Sequence, residues 1–181
     1  MMERMHGTTI LAVHKDGETA IAGDGQVTFG DTVMKQGAVK VRKLDQDVLV
    51  GFAGAVADAL TLLEKFEEQL EIAKGSLKRA AVETVKLWRT DRILRQLEAM
   101  LVVADAREIL LLSGTGEVIA PDEPLVAVGS GAPYALSAAK ALYRETALGA
   151  AAIAEKAVAI AAEIDLYTNG RSTVLKVGGN A

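Results

Sequence analysis

No cysteine occurs in this chain, and histidine occurs only twice, as His6 and His14. Disulfides and cysteine nucleophiles are therefore excluded, and a zinc site is left short of its usual ligands. His14 falls inside a strand pattern and reads as a packed or surface residue. No apolar run approaches the roughly 20 residues that span a bilayer. No block of basic residues stands out in a chain of net charge −4, which argues against nucleic acid as a partner. Motifs are missing too. Without G-x-x-x-x-G-K-[ST] there is no P-loop for ATP, and without G-x-S-x-G there is no serine elbow. Gly129-Ser130-Gly131 lacks the third glycine of a dinucleotide loop and reads as a short turn. The first seven residues carry charge and no apolar stretch, unlike a secretory signal. The cytoplasm is the expected compartment.

Aromatic residues are also few, yet half of the residues are apolar and 17 more are glycine. Ala, Val, Leu and Ile make up that surplus. The length, 181 residues, suits one well-packed domain. Such a surplus in so short a chain points to buried subunit interfaces or to a tightly packed monomer.

The apolar pattern predicts the order of elements. Thr9–Val13 and Thr19–Ala22 read as strands around a turn at Lys15-Asp16-Gly17. Val39–Leu44 alternates apolar and basic side chains, which suits a half-exposed strand, and Val48–Ala53 reads as a buried one. Val56, Leu60, Leu63, Phe66 and Leu70 then recur at helical spacing. Ser76 is placed to cap a second helix, with Leu77, Ala81, Val85 and Trp88 on its inner face, running to about Ala99. Strands return at Met100–Ala104, Glu108–Leu112, Val118–Ile119 and Leu125–Val128. Pro133 opens a helix to about Leu148, and Ile153, Ala157, Ile160 and Ile164 stripe a fourth. Val174–Val177 closes as a strand. Two helix pairs and two groups of hairpin-like strands, not single alternation, predict an α+β four-layer α-β-β-α sandwich rather than a doubly wound parallel sheet.

The chemistry starts at Gly7-Thr8-Thr9. A threonine hydroxyl needs a base, and histidine is scarce here. If the Gly7–Thr8 bond is cut, Thr8 gains an α-amine that titrates at about 7.7–8, close to cellular pH. That amine and the hydroxyl form an activated nucleophile. Taken alone, Gly-Thr-Thr would simply start a strand. Three other residues change the weight. Asp24, in Gly23-Asp24-Gly25, reads as a turn aspartate by itself, and Lys40 as a solvated lysine among neighbouring cations. Together they can lower the hydroxyl pKa, the aspartate keeping the lysine charged and oriented. Gly54 sits at a strand-to-helix junction, where a backbone N–H suits an oxyanion, although a tight-packing turn explains it equally. Thr9 should point to the opposite strand face, so Thr9→Ala is expected to be much milder than Thr8→Ala.

The stretches Thr8-Thr9-Ile10, Ile21-Ala22-Gly23-Asp24-Gly25-Gln26, Thr32-Val33-Met34-Lys35, Gly51-Phe52-Ala53-Gly54, Ala57-Asp58-Ala59, Trp88-Arg89-Thr90-Asp91-Arg92, Ala127-Val128-Gly129-Ser130-Gly131 and Tyr167-Thr168-Asn169 resemble the proteasome-type N-terminal-nucleophile hydrolases. More narrowly, the chain resembles the bacterial peptidases that serve an ATP-driven unfoldase. The resemblance implies that Thr8 is the nucleophile and that Lys40 and Asp24 support it. It implies the oxyanion N–H at Gly54, and Ser130 near the terminal amine. Asp165 falls where proteasome subunits use an aspartate to hold that amine. It further implies a sodium ion on the backbone carbonyls of Ala162, Asp165 and Thr168, with no nucleotide on this chain. Two stacked six-subunit rings and a hexameric AAA+ unfoldase cap, acting on unfolded proteins, are expected. Many members carry only the initiator methionine before the threonine, whereas seven residues precede it here. Residues 1–7 are thus expected to be a propeptide removed on maturation, leaving 8–181 as one threonine peptidase domain. A hydrolase of small amides and a non-catalytic ring subunit that keeps its propeptide are the alternatives.

Overall fold

The computed structural model describes residues 5, 6, 8–113 and 115–179. In chain order the elements are β1 (Met5–His6), β2 (Thr9–Lys15), β3 (Glu18–Asp24), β4 (Val27–Phe29), β5 (Thr32–Lys35), β6 (Val41–Leu44), β7 (Val48–Gly54), α1 (Val56–Ile72), α2 (Leu77–Thr90), β8 (Ala99–Ala104), β9 (Ile109–Ser113), β10 (Val118–Ile119), β11 (Leu125–Gly129), α3 (Ala132–Glu145), α4 (Ala150–Ala162) and β12 (Ser172–Gly178). One antiparallel sheet has the order β11-β2-β3-β12, and a second has β10-β9-β8-β7-β6. A small third sheet, β1-β4-β5, pairs Met5 with Phe29 and His6 with Thr28. No helix of the described residues is long and apolar enough to cross a membrane.

Side-chain alternation explains the layering. In β2, Ile10 and Ala12 face the other sheet and join Leu49, Ala53, Val102 and Ala104 in the central core. The intervening Leu11 and Val13 face the opposite way, against Ile153, Ala157 and Ala161 of α4. β7 and β8 repeat the pattern, with Val50, Phe52, Leu101 and Val103 packing on Leu62, Phe66 and Trp88 of α1 and α2. Strands buried on both faces must be apolar on both faces, which accounts for their near-continuous hydrophobic runs. The result is the α-β-β-α sandwich that the sequence predicts.

Several boundaries differ from expectation, each for a local reason. α2 stops at Thr90, not near Ala99, because the Asp91 carboxylate accepts the N–H groups of Ile93 at 2.7 Å and Leu94 at 3.0 Å. That local pairing competes with the helix. Ser76 offers no side-chain cap to α2. α3 ends at Glu145, where the Thr146 hydroxyl takes the Leu142 carbonyl at 2.6 Å. The inner stripe of α4 is Ile153, Ala154, Ala157, Val158 and Ala161, so Ile160 lies off it and Ile164 lies past the helix end. β6 begins at Val41, leaving Val39 and Lys40 in the preceding coil. β4 and β5 have no counterpart in the hydrophobic pattern, since all four residues of β5 are exposed.

The two sheets meet closely at Gly51. A methyl group there would lie 2.6 Å from Ile10 Cγ2 and 3.2 Å from Ile21 Cγ2. Gly51→Ala should therefore destabilise the fold by about 1–3 kcal/mol through overpacking. Gly37→Ala, with nothing within 4 Å of the added carbon, is the control. Denaturant midpoints report both, and equal midpoints would contradict the close approach.

Candidate active site

Thr8 immediately precedes β2 and is buried. It lines a cavity of about 220 Å³ together with Lys40, Gly54, Phe52, Val27 and Val56. The cavity opens where the ends of β2 and β7 approach each other, on the inter-sheet side of β2.

Asp24, the last residue of β3, is fully buried, and its carboxylate is saturated. Oδ1 accepts the Thr9 backbone N–H at 2.8 Å and the Lys40 ammonium at 2.9 Å. Oδ2 accepts the backbone N–H groups of Gln26 at 2.9 Å and Asn169 at 3.3 Å. Lys40 is only 5% exposed and donates also to the Gln26 carbonyl. Burial pushes the Lys40 ammonium below the ordinary lysine range, while the charge and hydrogen bond of Asp24, and the charge of Asp165, pull it back up. A lowered lysine pKa means that the buried charge costs stability at low pH, a cost relieved as pH rises through the folded-state value.

Gly54 ends β7 with φ +114, a region L-residues rarely enter. A side-chain carbon there would lie 2.5 Å from the Glu98 carbonyl oxygen. α1 begins two residues later, so Gly54 stands at the positive end of its dipole.

A second cluster lies on the other side of β2. Ser130 donates to Asp165 Oδ2 at 2.7 Å, and Thr168 donates to the same oxygen at 2.5 Å. The Thr9 and Thr168 hydroxyls are 2.6 Å apart. Because the Thr168 proton points to the carboxylate, Thr9 is the donor between them. Ser130 Oγ also lies 3.4 Å from the Thr8 carbonyl oxygen. Glycines make this packing possible. At Gly129, φ +101, an added carbon would run into the Thr8 carbonyl, and at Gly131 it would run into Thr9 Oγ1.

The structure thus brings Thr8, Lys40 and Gly54 around one cavity, buries Asp24 behind Lys40, and sets Ser130 beside the Thr8 backbone with Asp165 hydrogen-bonded to Ser130. The expected cleavage point involves Gly7, and residues 1–4 and Gly7 lie outside the described residues. Among the described residues no group of three or more His, Cys, Asp or Glu side chains could hold a metal. Ala162 ends α4, and the Thr168 N–H closes a turn on the Asp165 carbonyl at 3.2 Å. Helix-end carbonyls are an all-oxygen donor set, which fits a hard cation such as sodium.

Four residues that hold the site together have no role in the sequence reading of the chemistry: Thr9, Gln26, the Thr168 hydroxyl and Asn169. The Asn169 side chain accepts the Gly25 N–H at 3.1 Å and donates to the Gln36 carbonyl at 2.9 Å. Thr9 does face away from Thr8, as its strand position requires, but it meets a buried acceptor there instead of an indifferent surface.

The family model described as "Proteasome subunit" matches residues 5–177. The chain belongs to the proteasome subunit family. It is 56% identical over 171 residues to the ATP-dependent protease subunit HslV of Pseudothermotoga lettingae, covering 94% of this chain and 97% of that protein. It is 59% identical over 170 residues to the protein of the same name from Syntrophobacter fumaroxidans, covering 93% and 95%. Among solved structures, eukaryotic HslV from Trypanosoma brucei superposes with a TM-score of 0.89 at 44% identity, covering 94% of this chain and 99% of that one. BPH of Thiobacillus denitrificans, in complex with epoxomicin, superposes with a TM-score of 0.76 at 26% identity, covering 96% and 100%.

Removing the Thr9 hydroxyl strips the buried Thr168 oxygen of a donor. Thr9→Val should cost about 1–3 kcal/mol in unfolding free energy, and Thr9→Ser should recover most of it. A Thr9→Val protein as stable as the parent would show that the hydroxyl chain contributes nothing.

Proposed function

We propose that this chain is the proteolytic subunit of an ATP-dependent protease, a threonine endopeptidase that hydrolyses peptide bonds of unfolded proteins. The observation that carries the reading is the buried Asp24–Lys40 ion pair, whose lysine lines one cavity with Thr8 and Gly54. Family membership and the HslV names of the relatives support it. Removal of residues 1–7 exposes the Thr8 α-amine. That amine takes the Oγ proton as Oγ attacks the scissile carbonyl carbon. Lys40 lowers the hydroxyl pKa, and the Gly54 N–H holds the developing oxyanion. Ser130 and Asp165 hold the amine end. As the C–N bond breaks, the ammonium gives its proton to the departing amine. Water then attacks the Thr8 ester, giving one proton to the amine, which returns it to Oγ. The carbonyls of Ala162, Asp165 and Thr168 would hold a sodium ion, whose positive charge would draw them together and stiffen the turn carrying Asp165.

The assembly proposed is two stacked six-subunit rings in the cytoplasm, capped by an HslU-type hexameric AAA+ ATPase. The cap would bind the ATP for which this chain has no loop, and would feed in unfolded chains. Enclosure keeps an indiscriminate nucleophile away from folded proteins.

Intact mass of the purified protein should show loss of Met1–Gly7, and Thr8→Ala should block both this loss and peptide cleavage. Light scattering should give a closed particle of roughly twelve chains. Cleavage should rise with the cognate ATPase and ATP, and stop with epoxomicin. A monomer that cleaves small amides at a rate indifferent to the ATPase would support the small-amide hydrolase instead. A stable ring that keeps residues 1–7 and cleaves nothing would support the scaffold.

The pH profile should be bell-shaped. The acid limb should follow the α-amine at about 7.7–8. The basic limb should lie below the ordinary lysine range, because burial lowers the Lys40 pKa. Stability should gain, not lose, from this group in the same window, so activity should fall while the fold persists. Lys40→Ala should lower turnover by about 100-fold or more, against little change in Lys43→Ala. Similar small losses in both would return Lys40 to a structural role.

A further inference from the structure

We propose that Gln26 is a positioning residue for Lys40, tying the lysine to the turn that follows α4. The inference rests on the threonine-peptidase reading and concerns how its lysine is held.

Gln26 is 6% exposed, and its backbone N–H, its backbone carbonyl and its side-chain Nε2 are all engaged. Its backbone N–H donates to Asp24 Oδ2 at 2.9 Å, and its carbonyl accepts the Lys40 ammonium. Its carboxamide has two N–H groups. The structure directs Nε2 to the Leu166 carbonyl at 2.8 Å and to the Thr28 hydroxyl at 3.0 Å. Gln26 therefore touches both partners of the buried ion pair through its backbone, and anchors that backbone through its side chain. Two fixed acceptors, Asp24 Oδ1 and the Gln26 carbonyl, decide where the third N–H of the ammonium points.

The far anchor also matters. Leu166 is 85% exposed, so its side chain adds little packing to hold this turn. The hydrogen bond to its carbonyl does part of that holding. The same turn carries Asp165 and Thr168, which grip Ser130 and Thr9. Gln26 is thus a physical link between the cluster at the lysine and the cluster at the amine end of Thr8. Few residues could replace it. Glutamate would set a carboxylate oxygen against the Leu166 carbonyl. Lysine would bring a second cation toward Lys40. Asparagine is one carbon too short to reach.

The test uses the full-length protein, matured and assembled with its ATPase and ATP, cleaving a fluorogenic peptide. Gln26→Met keeps the length and removes both donors. The expected result is a fall in kcat on the order of 10- to 100-fold, the size of effect that a small misplacement of a catalytic group produces, with KM changed by less than about threefold. The basic limb of the pH profile should also move to lower pH, because a loosened carbonyl favours the charged lysine less. A purely structural role would not move that limb. If Gln26→Met fails to assemble, Gln26→Asn, whose shorter side chain withdraws the carboxamide from the Leu166 carbonyl, is read in the same way. An assembled variant with parental kcat, or with reduced kcat and an unmoved basic limb, overturns the proposal. Thr8→Ala in the same assay separates the two readings. If it remains active, the threonine mechanism fails; if it is inactive while Gln26→Met is unaffected, only the role of Gln26 fails.

Discussion

The buried pair of Asp24 and Lys40 is the constraint on which the rest of the site depends. Breaking a buried ion pair by removing one partner costs about 3–5 kcal/mol, so both charges must be fully served or not be there. Asp24 is served by four N–H groups from four separate segments: the start of β2, the residue two beyond β3, the coil before β6 and the turn after α4. Satisfying one carboxylate therefore fixes the mutual position of both sheets' ends and of the C-terminal turn. The pair holds the chemistry in place and closes the fold at the same point.

Strand alternation does the remaining sorting. Consecutive residues at the start of β2 point to opposite faces. Thr8 thereby meets Lys40 and Gly54 between the sheets, and Thr9 meets Thr168 on the helix side. Thr8 is thus held from behind through its neighbour and its own carbonyl, and it lines the cavity on its other side. Close approach is achieved by omission of side chains. Gly129 and Gly131 let the Ser130 turn come against Thr8 and Thr9, where any added carbon would collide.

Much of the fold was legible because its strands are buried on both faces and its helices carry clean stripes. Leu63, Phe66, Leu70, Val85 and Trp88 lie in the core that their spacing predicts, whereas Val56, at the first turn of α1, is exposed. What escaped was short or polar. β4 and β5 are a hairpin of three and four residues with little apolar pattern. Gly30-Asp31 between them, with φ +54 at Gly30, was the available turn signal. The end of α2 was set by one aspartate side chain rather than by periodicity. At the site, Thr8, Asp24 and Lys40 could be found because their residue types match a chemistry. Gln26 and Asn169 could not, since their work is to orient others across long separations, as in the pairing of Asn169 with Asp24. A composition or spacing argument has no access to a contact between residues 145 positions apart.

The scarcity of histidine and absence of cysteine then take on a physical meaning. A site built on an imidazole or thiolate obtains its reactive group from a side chain whose pKa is already near neutral. In the mechanism proposed here the activating charge is an ammonium that must stay protonated while buried. Burial lowers its pKa, and Asp24 offsets much of that. Asp24 can do so only because backbone N–H groups stabilise its own charge without adding a competing side chain. A fixed charge in a site shielded from water acts more strongly on a nearby hydroxyl than it would in solvent. Under that mechanism the catalytic demand is reduced to one hydroxyl, one amine, one lysine and one aspartate. Glycines and hydrogen-bonding loops carry the rest, and that division explains why so much of the machinery is spread thinly along the chain rather than concentrated in a motif.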